Sequence, residues 1–233
     1  MKEIIASGLT ALNLSPAPAE ALTQYGQLLI EQNKVMNLTA ITEPEQVARL
    51  HMLDCAAVLN AADFTGKKVM DVGTGAGFPG MVLRICEPSM ELTLLDALEK
   101  RINWLKEIAP ALGVDNVTAI HGRAEEFAAD AAYREQYDIV TSRAVADLRM
   151  LAELALPFVK VGGVFLAMKG PDSQGEVDQA GRAISILGGE VRKAFTYTVP
   201  GTDVTHKVIP IVKVRQTPAK YPRRFAKIKK QPL

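Results

Sequence analysis

A run of glycines set behind an acid is the stretch of this chain best suited to chemistry. Asp71 to Gly80 reads Asp-Val-Gly-Thr-Gly-Ala-Gly-Phe-Pro-Gly. Gly73, Gly75 and Gly77 alternate with small residues. They tolerate positive φ and carry no Cβ, so a ligand could lie against bare backbone. A helix after the turn would aim its free N–H groups and positive end at that ligand, and Pro79 suits a first helical turn. Further on, residues 92–96 read as a short strand ending in a carboxylate. Asp96 stands 21 residues beyond Gly75, the spacing at which an acid meets ribose hydroxyls. Each such charge-assisted hydrogen bond is worth roughly 1.5–3 kcal/mol. Asp96 could equally cap a helix beginning near Leu98.

Three more groups each follow a strand: Arg123-Ala124-Glu125, Ser142-Arg143-Ala144 and Lys169-Gly170. Open α/β sheets bind ligands outside the carboxyl ends of their strands, which makes all three site candidates. The plainer readings are a helix-start carboxylate for Glu125, an ion pair with an acid such as Asp147 for Arg143, and a solvated side chain for Lys169. His51 and Asp54 lie three apart, on one helix face; they read as a functional pair or as a satisfied polar pair at a helix contact. The junction from Asn33 to Thr39 could be a helix cap built on Thr39 or Thr42, or a surface that meets substrate. The three histidines and two cysteines show no zinc-ligand spacing, so no metal site is expected. Cys55 and Cys86 read as free thiols in a reducing compartment.

Positioning these groups requires alternating elements. Strands are expected at 69–72, 92–96, 116–120, 137–142 and 164–169, the last entered through Gly162-Gly163, then at 191–198 and 207–215. Helices are expected from residue 81, over 98–112 stopped by Gly113, and over 173–187 ended by Gly188-Gly189. This is an α/β fold with a mostly parallel sheet covered on both faces. Pro210 inside the last strand suggests a bulge or an exposed edge. Residues 1–60 form an N-terminal helical extension with two apolar stripes, 61–216 the core domain and 217–233 a basic tail.

At 233 residues with 48% hydrophobic content, the chain can fill one large core. No apolar run approaches the about 18–20 residues that span a membrane, and the N-terminus does not read as a signal peptide. A cytoplasmic protein is expected. The net charge of +1 conceals an asymmetry: nine basic residues and no acid follow Asp203, which leaves a net of −8 for residues 1–203. A basic end on an acidic body suggests a polyanionic partner.

Two motifs overlap in the glycine turn. Gly75-x-Gly77-x-x-Gly80 matches the dinucleotide fingerprint of an NAD(P)-dependent oxidoreductase. Asp71-x-Gly73-x-Gly75-x-Gly77 resembles the first motif of S-adenosylmethionine-dependent methyltransferases and accounts for the acid in the strand. The ordered set around it resembles the bacterial ribosomal RNA small subunit methyltransferase G family, also called glucose-inhibited division protein B. Its carriers are Asn33-Lys34-x-x-Asn37-Leu38-Thr39, His51-x-x-Asp54, the Asp71–Gly80 turn, Leu94-Leu95-Asp96-x-x-x-Lys100-Arg101, Arg123-Ala124-Glu125, Ser142-Arg143-Ala144 and Tyr221-Pro222-Arg223. Gln32, Cys55, Ala226 and Ile228 depart from the residues usual in that family.

The resemblance implies a Rossmann-like class I fold with a seven-stranded sheet. It also implies methyl transfer from S-adenosyl-L-methionine to N7 of a guanine in 16S ribosomal RNA, near the decoding site. Gly73, Gly75, Gly77 and Phe78 would then meet the cofactor at the first turn and Asp96 its ribose. Ala124 and Glu125 would lie along the adenosine, and Arg143, the catalytic candidate, between cofactor and substrate. Asn33, Lys34, Lys169, Arg223, Arg224 and Lys227 would contact RNA, naked or in the small-subunit particle, with the tail otherwise solvated. A monomer with no metal and no membrane contact is expected. The sequence offers no general base near the turn, which suits direct attack by guanine N7. The competing readings are the oxidoreductase and a non-catalytic RNA-binding protein on the same fold.

Overall fold

The computed structural model describes residues 1–143 and 146–233. Among the described residues eight strands form one sheet: β1 (Lys68–Val72), β2 (Glu91–Asp96), β3 (Val117–His121), β4 (Tyr137–Ser142), β5 (Val159–Lys169), β6 (Gly189–Val191), β7 (Phe195–Thr198) and β8 (Thr205–Lys213). Their order is β3-β2-β1-β4-β5-β8-β6, with β7 also on β8. The first five pair in parallel. β8 runs antiparallel to β5, β6 and β7. The strand order reverses between β1 and β4, where such sheets open a binding crevice at the strands' carboxyl ends.

The expected strand at 191–198 is split in two, for a reason that lies in Pro210. The Pro210 carbonyl accepts from Arg192 N–H at 2.8 Å, so its ring nitrogen, which has no hydrogen, faces the same neighbour. The ladder therefore fails between β6 and β7, opposite the proline. The expected bulge thus falls on the strand beside Pro210, and Pro210 itself lies inside the sheet.

The helices are α1 (Lys2–Ala11), α2 (Ala19–Met36), α3 (Pro44–Val47), α4 (Asp54–Ala56), α5 (Gly80–Cys86), α6 (Glu99–Ala111), α7 (Ala124–Phe127), α8 (Leu148–Ala155), α9 (Gln174–Ile186) and α10 (Phe225–Lys230). A π-helical segment, Ala48–Leu53, joins α3 to α4, and a 3-10 turn, Ala57–Ala61, follows. On one face of the sheet α1, α2 and the 44–61 stretch share a continuous core with α5 and α6, through Leu22, Tyr25, Leu53, Met81 and Leu105. On the other face α8 and α9 pack with Tyr221. Among the described residues no helix is long and apolar enough to cross a membrane.

Residues 217–233 are built into the second face. Ile228 is fully buried, and the Arg134 guanidinium donates to the carbonyls of Tyr221 at 2.8 Å and Thr217 at 2.7 Å. The segment is thus packed, and the alternative of a solvated tail does not hold. Two of the nine late cations are internal. Lys213 is fully buried, 3.0 Å from Glu135, and burial lowers its pKa to about 8. Arg223 holds the fully buried Glu153.

Candidate functional site

The acid inside β1 anchors the glycine turn. Asp71 is fully buried. Its Oδ2 accepts from Thr74 Oγ1 at 2.6 Å and Gly80 N–H at 3.0 Å, and its Oδ1 from Thr141 Oγ1 at 3.2 Å. One carboxylate thus ties the turn to the start of α5 and to β4. Burial pushes its pKa up to about 6, with the hydrogen bonds from Thr74, Gly80 and Thr141 acting against that rise. Gly80 is glycine because a Cβ there would stand 2.6 Å from Leu94 and 3.0 Å from Asp71.

The other glycines divide by direction. Gly73 and Gly75 have φ of +71° and +60° and open space where a Cβ would be, so they leave a bare cradle at the mouth of the turn. Gly77, at φ +90°, is turned inward: a Cβ would meet Tyr25, Met81 and Leu105. Tyr25 reaches across from α2 and donates its hydroxyl hydrogen to the Ala76 carbonyl.

Asp96 ties the glycine turn to the segment that leads into α6. Its Oδ2 accepts from Gly75 N–H at 2.9 Å and its Oδ1 from Leu98 N–H at 2.8 Å, with Arg101 at 3.5 Å. A cavity of about 200 Å³ opens beside it, lined by Gly73, Asp96, Ala124, Glu125, Leu151 and Phe225 among others. Its walls are mostly apolar, with Asp96 and Glu125 among the lining residues. That donor set fits an adenosine: bare backbone at Gly73, an acid for ribose and apolar walls for a purine. Phe225 comes from α10, a contribution that local sequence could not announce.

A second cavity, of about 520 Å³, lies on the β4–β5 side, lined by Asp54, Arg143, Asp147, Met168, Glu176 and His206 among others. The segment after β4 borders both cavities, through Arg143 and Asp147 on one side and Ala146 on the other. Ala144 lies outside the described residues.

Arg143 is held on several sides. Nη1 donates to the Leu50 carbonyl at 3.2 Å and to Asp54 Oδ2 at 3.3 Å, and Nη2 to His51 Nδ1 at 3.1 Å. Its guanidinium carbon sits 4.8 Å from the centre of the Phe78 ring, which stacks on His51 at 4.6 Å. Burial, and then the charge of Arg143, lower the His51 pKa to about 4, so the ring is neutral. A neutral ring accepting at Nδ1 carries its proton on Nε2, which donates to Thr39 Oγ1 at 2.8 Å. On the far side Asp54 Oδ1 accepts from Tyr197 at 2.7 Å and His206 Nδ1 at 2.7 Å. Burial alone would raise the Asp54 pKa; the hydrogen bonds from His206 and Tyr197 and the charge of Arg143 outweigh it and hold the carboxyl below its usual range. The same hydrogen bond raises the pKa of His206.

The structure thus places His51 and Asp54 on either side of one guanidinium, while Asp147 pairs with Arg149. Among the described residues, Arg143 keeps its Nε–H and one Nη2–H uncommitted. Thr39 is no helix cap; its hydroxyl accepts from His51 Nε2–H and from Ile41 N–H at 3.0 Å. Tyr197 and His206 were invisible to spacing, since His206 stands 152 residues from its partner Asp54.

Three of the residues expected to contact RNA are also engaged within the protein. Asn33 folds its own loop: its Oδ1 accepts from Leu38 and Thr39 N–H at 2.6 and 2.9 Å, and its Nδ2 donates to the Thr39 carbonyl at 3.0 Å. Lys169 is nearly buried, 2.6 Å from Glu176 and 2.7 Å from the Ala146 carbonyl. Arg223 grips Glu153 with Nε at 2.8 Å and Nη2 at 2.6 Å. Lys34, Arg224 and Lys227 are exposed. Among the described residues no cluster of three or more His, Cys, Asp or Glu could hold a metal ion.

Comparison with known proteins agrees with this geometry. Residues 18–200 match the family described as GidB, rRNA small subunit methyltransferase G. The ribosomal RNA small subunit methyltransferase G of Alkaliphilus oremlandii is 44% identical over 236 residues, covering 100% of this chain and 99% of its own. That of Alkaliphilus metalliredigens is 46% identical, covering 92% and 90%. Among solved structures, a SAM-dependent methyltransferase from Aquifex aeolicus superposes with TM-score 0.53 at 20% identity, covering 76% of this chain and 97% of its own. At that identity it speaks for the fold, a Rossmann-like methyltransferase sheet. The oxidoreductase and non-catalytic readings give way to these matches. The chain belongs to the ribosomal RNA small subunit methyltransferase G family and uses S-adenosyl-L-methionine.

Proposed function

We propose that this enzyme methylates N7 of a guanine in 16S ribosomal RNA, with the cofactor along the Gly73–Asp96 cavity and the target base in the cavity beyond Arg143. The observation that carries the reading is the pair of cavities bordering one segment after β4, one with a bare glycine cradle and a ribose acid, the other held open around a fixed arginine. S-adenosylmethionine supplies an electrophilic methyl on a sulfonium. Gly73 and Gly75 let its backbone-facing edge approach, Asp96 takes ribose hydroxyls, and Ala124 and Glu125 border the adenosine. Gly77 and Phe78 act from behind, shaping the turn and supporting Arg143.

Arg143, with two N–H donors uncommitted among the described residues, can offer them to the amino-acid carboxylate of the cofactor or to an acceptor on the base. Guanine N7 has a free lone pair on its major-groove edge and needs no deprotonation. The protein's task is then alignment, which can recover about 7–11 kcal/mol of a barrier. A paired or stacked target base must be swung out, at a cost of a few kcal/mol. Phosphate contacts in this reading come from Lys34, Arg224 and Lys227, whose exposure supports it. The reading is of a monomeric cytoplasmic enzyme acting on RNA or on the small-subunit particle.

The test is nucleoside analysis of undermethylated 16S RNA, free and in particles, after incubation with enzyme and cofactor. New 7-methylguanosine is the expected result. Its absence from both substrates, with cofactor bound, would refute the proposal.

A further inference from the structure

Three carboxylates border the larger cavity, and two are fully engaged. Asp54 accepts from Arg143, Tyr197 and His206. Asp147 Oδ1 accepts from the Arg149 backbone and Nε, both at 2.9 Å, and Oδ2 from Nη2 at 3.1 Å. Glu176, in the first turn of α9, uses one oxygen only: Oε1 accepts from Leu148 N–H at 2.5 Å and Lys169 Nζ at 2.6 Å. Its Oε2 has no partner among the described residues, and its side chain is 27% exposed against 7% for Lys169. Among the described residues the cavity therefore contains one held, uncommitted carboxylate oxygen.

We propose that Glu176 Oε2 reads the target guanine by accepting its N1–H and 2-amino hydrogens. This rests on the guanine-N7 reading above and adds the residue that recognises the base. Adenine would present an acceptor at N1 and nothing at position 2, leaving the carboxylate opposed and unpaired, the situation a hydrogen-bonding site rejects most strongly. The contact also grows during the reaction. The N7 lone pair forms the new N–C bond while the C–S pair leaves with sulfur, so the purine takes on the positive charge that the sulfonium loses. A cationic purine is a stronger N–H donor. The hydrogen bonds to Glu176 thus strengthen towards the transition state, and that is what raises kcat.

The test is a cycle between protein and RNA. Small-subunit particles are reconstituted with guanosine or inosine at the target; inosine keeps N7 and N1–H and lacks the 2-amino group. Wild-type enzyme and Glu176→Gln are compared in single-turnover methylation and in particle binding. Gln Oε1 can still accept from Leu148 and Lys169. A lost hydrogen bond to a charged acceptor corresponds to about ten- to a hundredfold. Wild type is expected to lose at least about tenfold in rate on inosine. Glu176→Gln should lose about as much on guanosine, with particle affinity changed less than about threefold, and less than about threefold more on inosine. Independent, multiplying losses would overturn the contact while leaving the methyltransferase reading intact. Failure of wild type to methylate guanosine particles would overturn both. If Glu176→Gln does not fold, the wild-type comparison decides: an undiminished rate on inosine overturns the proposal.

Discussion

Replacing Asp54 by Asn tests whether the buried network is what holds Arg143. Asp54 is 2% exposed and accepts three side-chain donors. Asparagine keeps one acceptor oxygen, which can serve Tyr197 and His206. Its amide nitrogen then faces Arg143 Nη1, donor against donor. A hydrogen bond between charged partners contributes roughly 1.5–3 kcal/mol, and removing one partner of a buried pair costs about 3–5 kcal/mol. The Arg143 side chain is 23% exposed, so water recovers part of that loss, and about 2–3 kcal/mol is the expected destabilisation. It should appear as a lower urea midpoint with an unchanged slope. Calorimetric titration with S-adenosylmethionine should find affinity about tenfold weaker, equivalent to about 1.4 kcal/mol, because the guanidinium is free to swing. Tyr197→Phe removes one donor but leaves the Asp54–Arg143 contact. It should cost about 1 kcal/mol of stability and leave cofactor affinity alone. If Asp54→Asn unfolds within about 0.5 kcal/mol of wild type and binds cofactor equally well, the network does not position Arg143.

Acid should weaken the fold through His51. Its folded pKa is about 4 against an ordinary 6.5, so the stability present above 6.5 is lost as pH falls towards 4, about 2 kcal/mol by pH 5. Asp71, raised to about 6, acts in the opposite sense, favouring the fold at low pH and losing that contribution as pH rises through about 6. The clean measurement is therefore wild type against His51→Gln, by urea unfolding at pH 7.5 and 5. The gap between them should narrow by about that amount on acidification; a constant gap removes His51 from the pH response. In the C-terminal segment, Arg223→Ala should cost about 3–5 kcal/mol by stranding Glu153, read by thermal unfolding. Arg224→Ala with Lys227→Ala should leave stability nearly unchanged and flatten the salt slope of RNA binding by about 1.4 units, at about 0.7 per phosphate. Gly73→Ala should fold with a penalty of roughly 1–2 kcal/mol for its positive φ and bind cofactor poorly, whereas Gly77→Ala, blocked by Met81 at 2.8 Å and Leu105 at 2.9 Å, should scarcely fold.

What the sequence determined by itself was local. The glycine turn behind Asp71, the acid-ended strand at Asp96 and the stop at Gly113 are short-range features. Their meaning lies in backbone conformation and in the period of apolar residues, and both are written in adjacent positions. Pro210 likewise announced a fault in the sheet, although only pairing decided that the fault falls between β6 and β7. Tertiary structure decided which charges are free. Lys169, Lys213 and Arg223 look like any other cations along the chain, yet each is engaged inside, Lys169 by Glu176 seven residues on and Lys213 and Arg223 by carboxylates far away in sequence. The grip on Arg143 is of the same kind. Leu50, His51 and Asp54 reach it across some ninety residues, and Tyr197 and His206 support Asp54 from the antiparallel end of the sheet. A hydrogen bond depends on a few tenths of an ångström between side chains, and that proximity exists only once the helices have packed on the sheet.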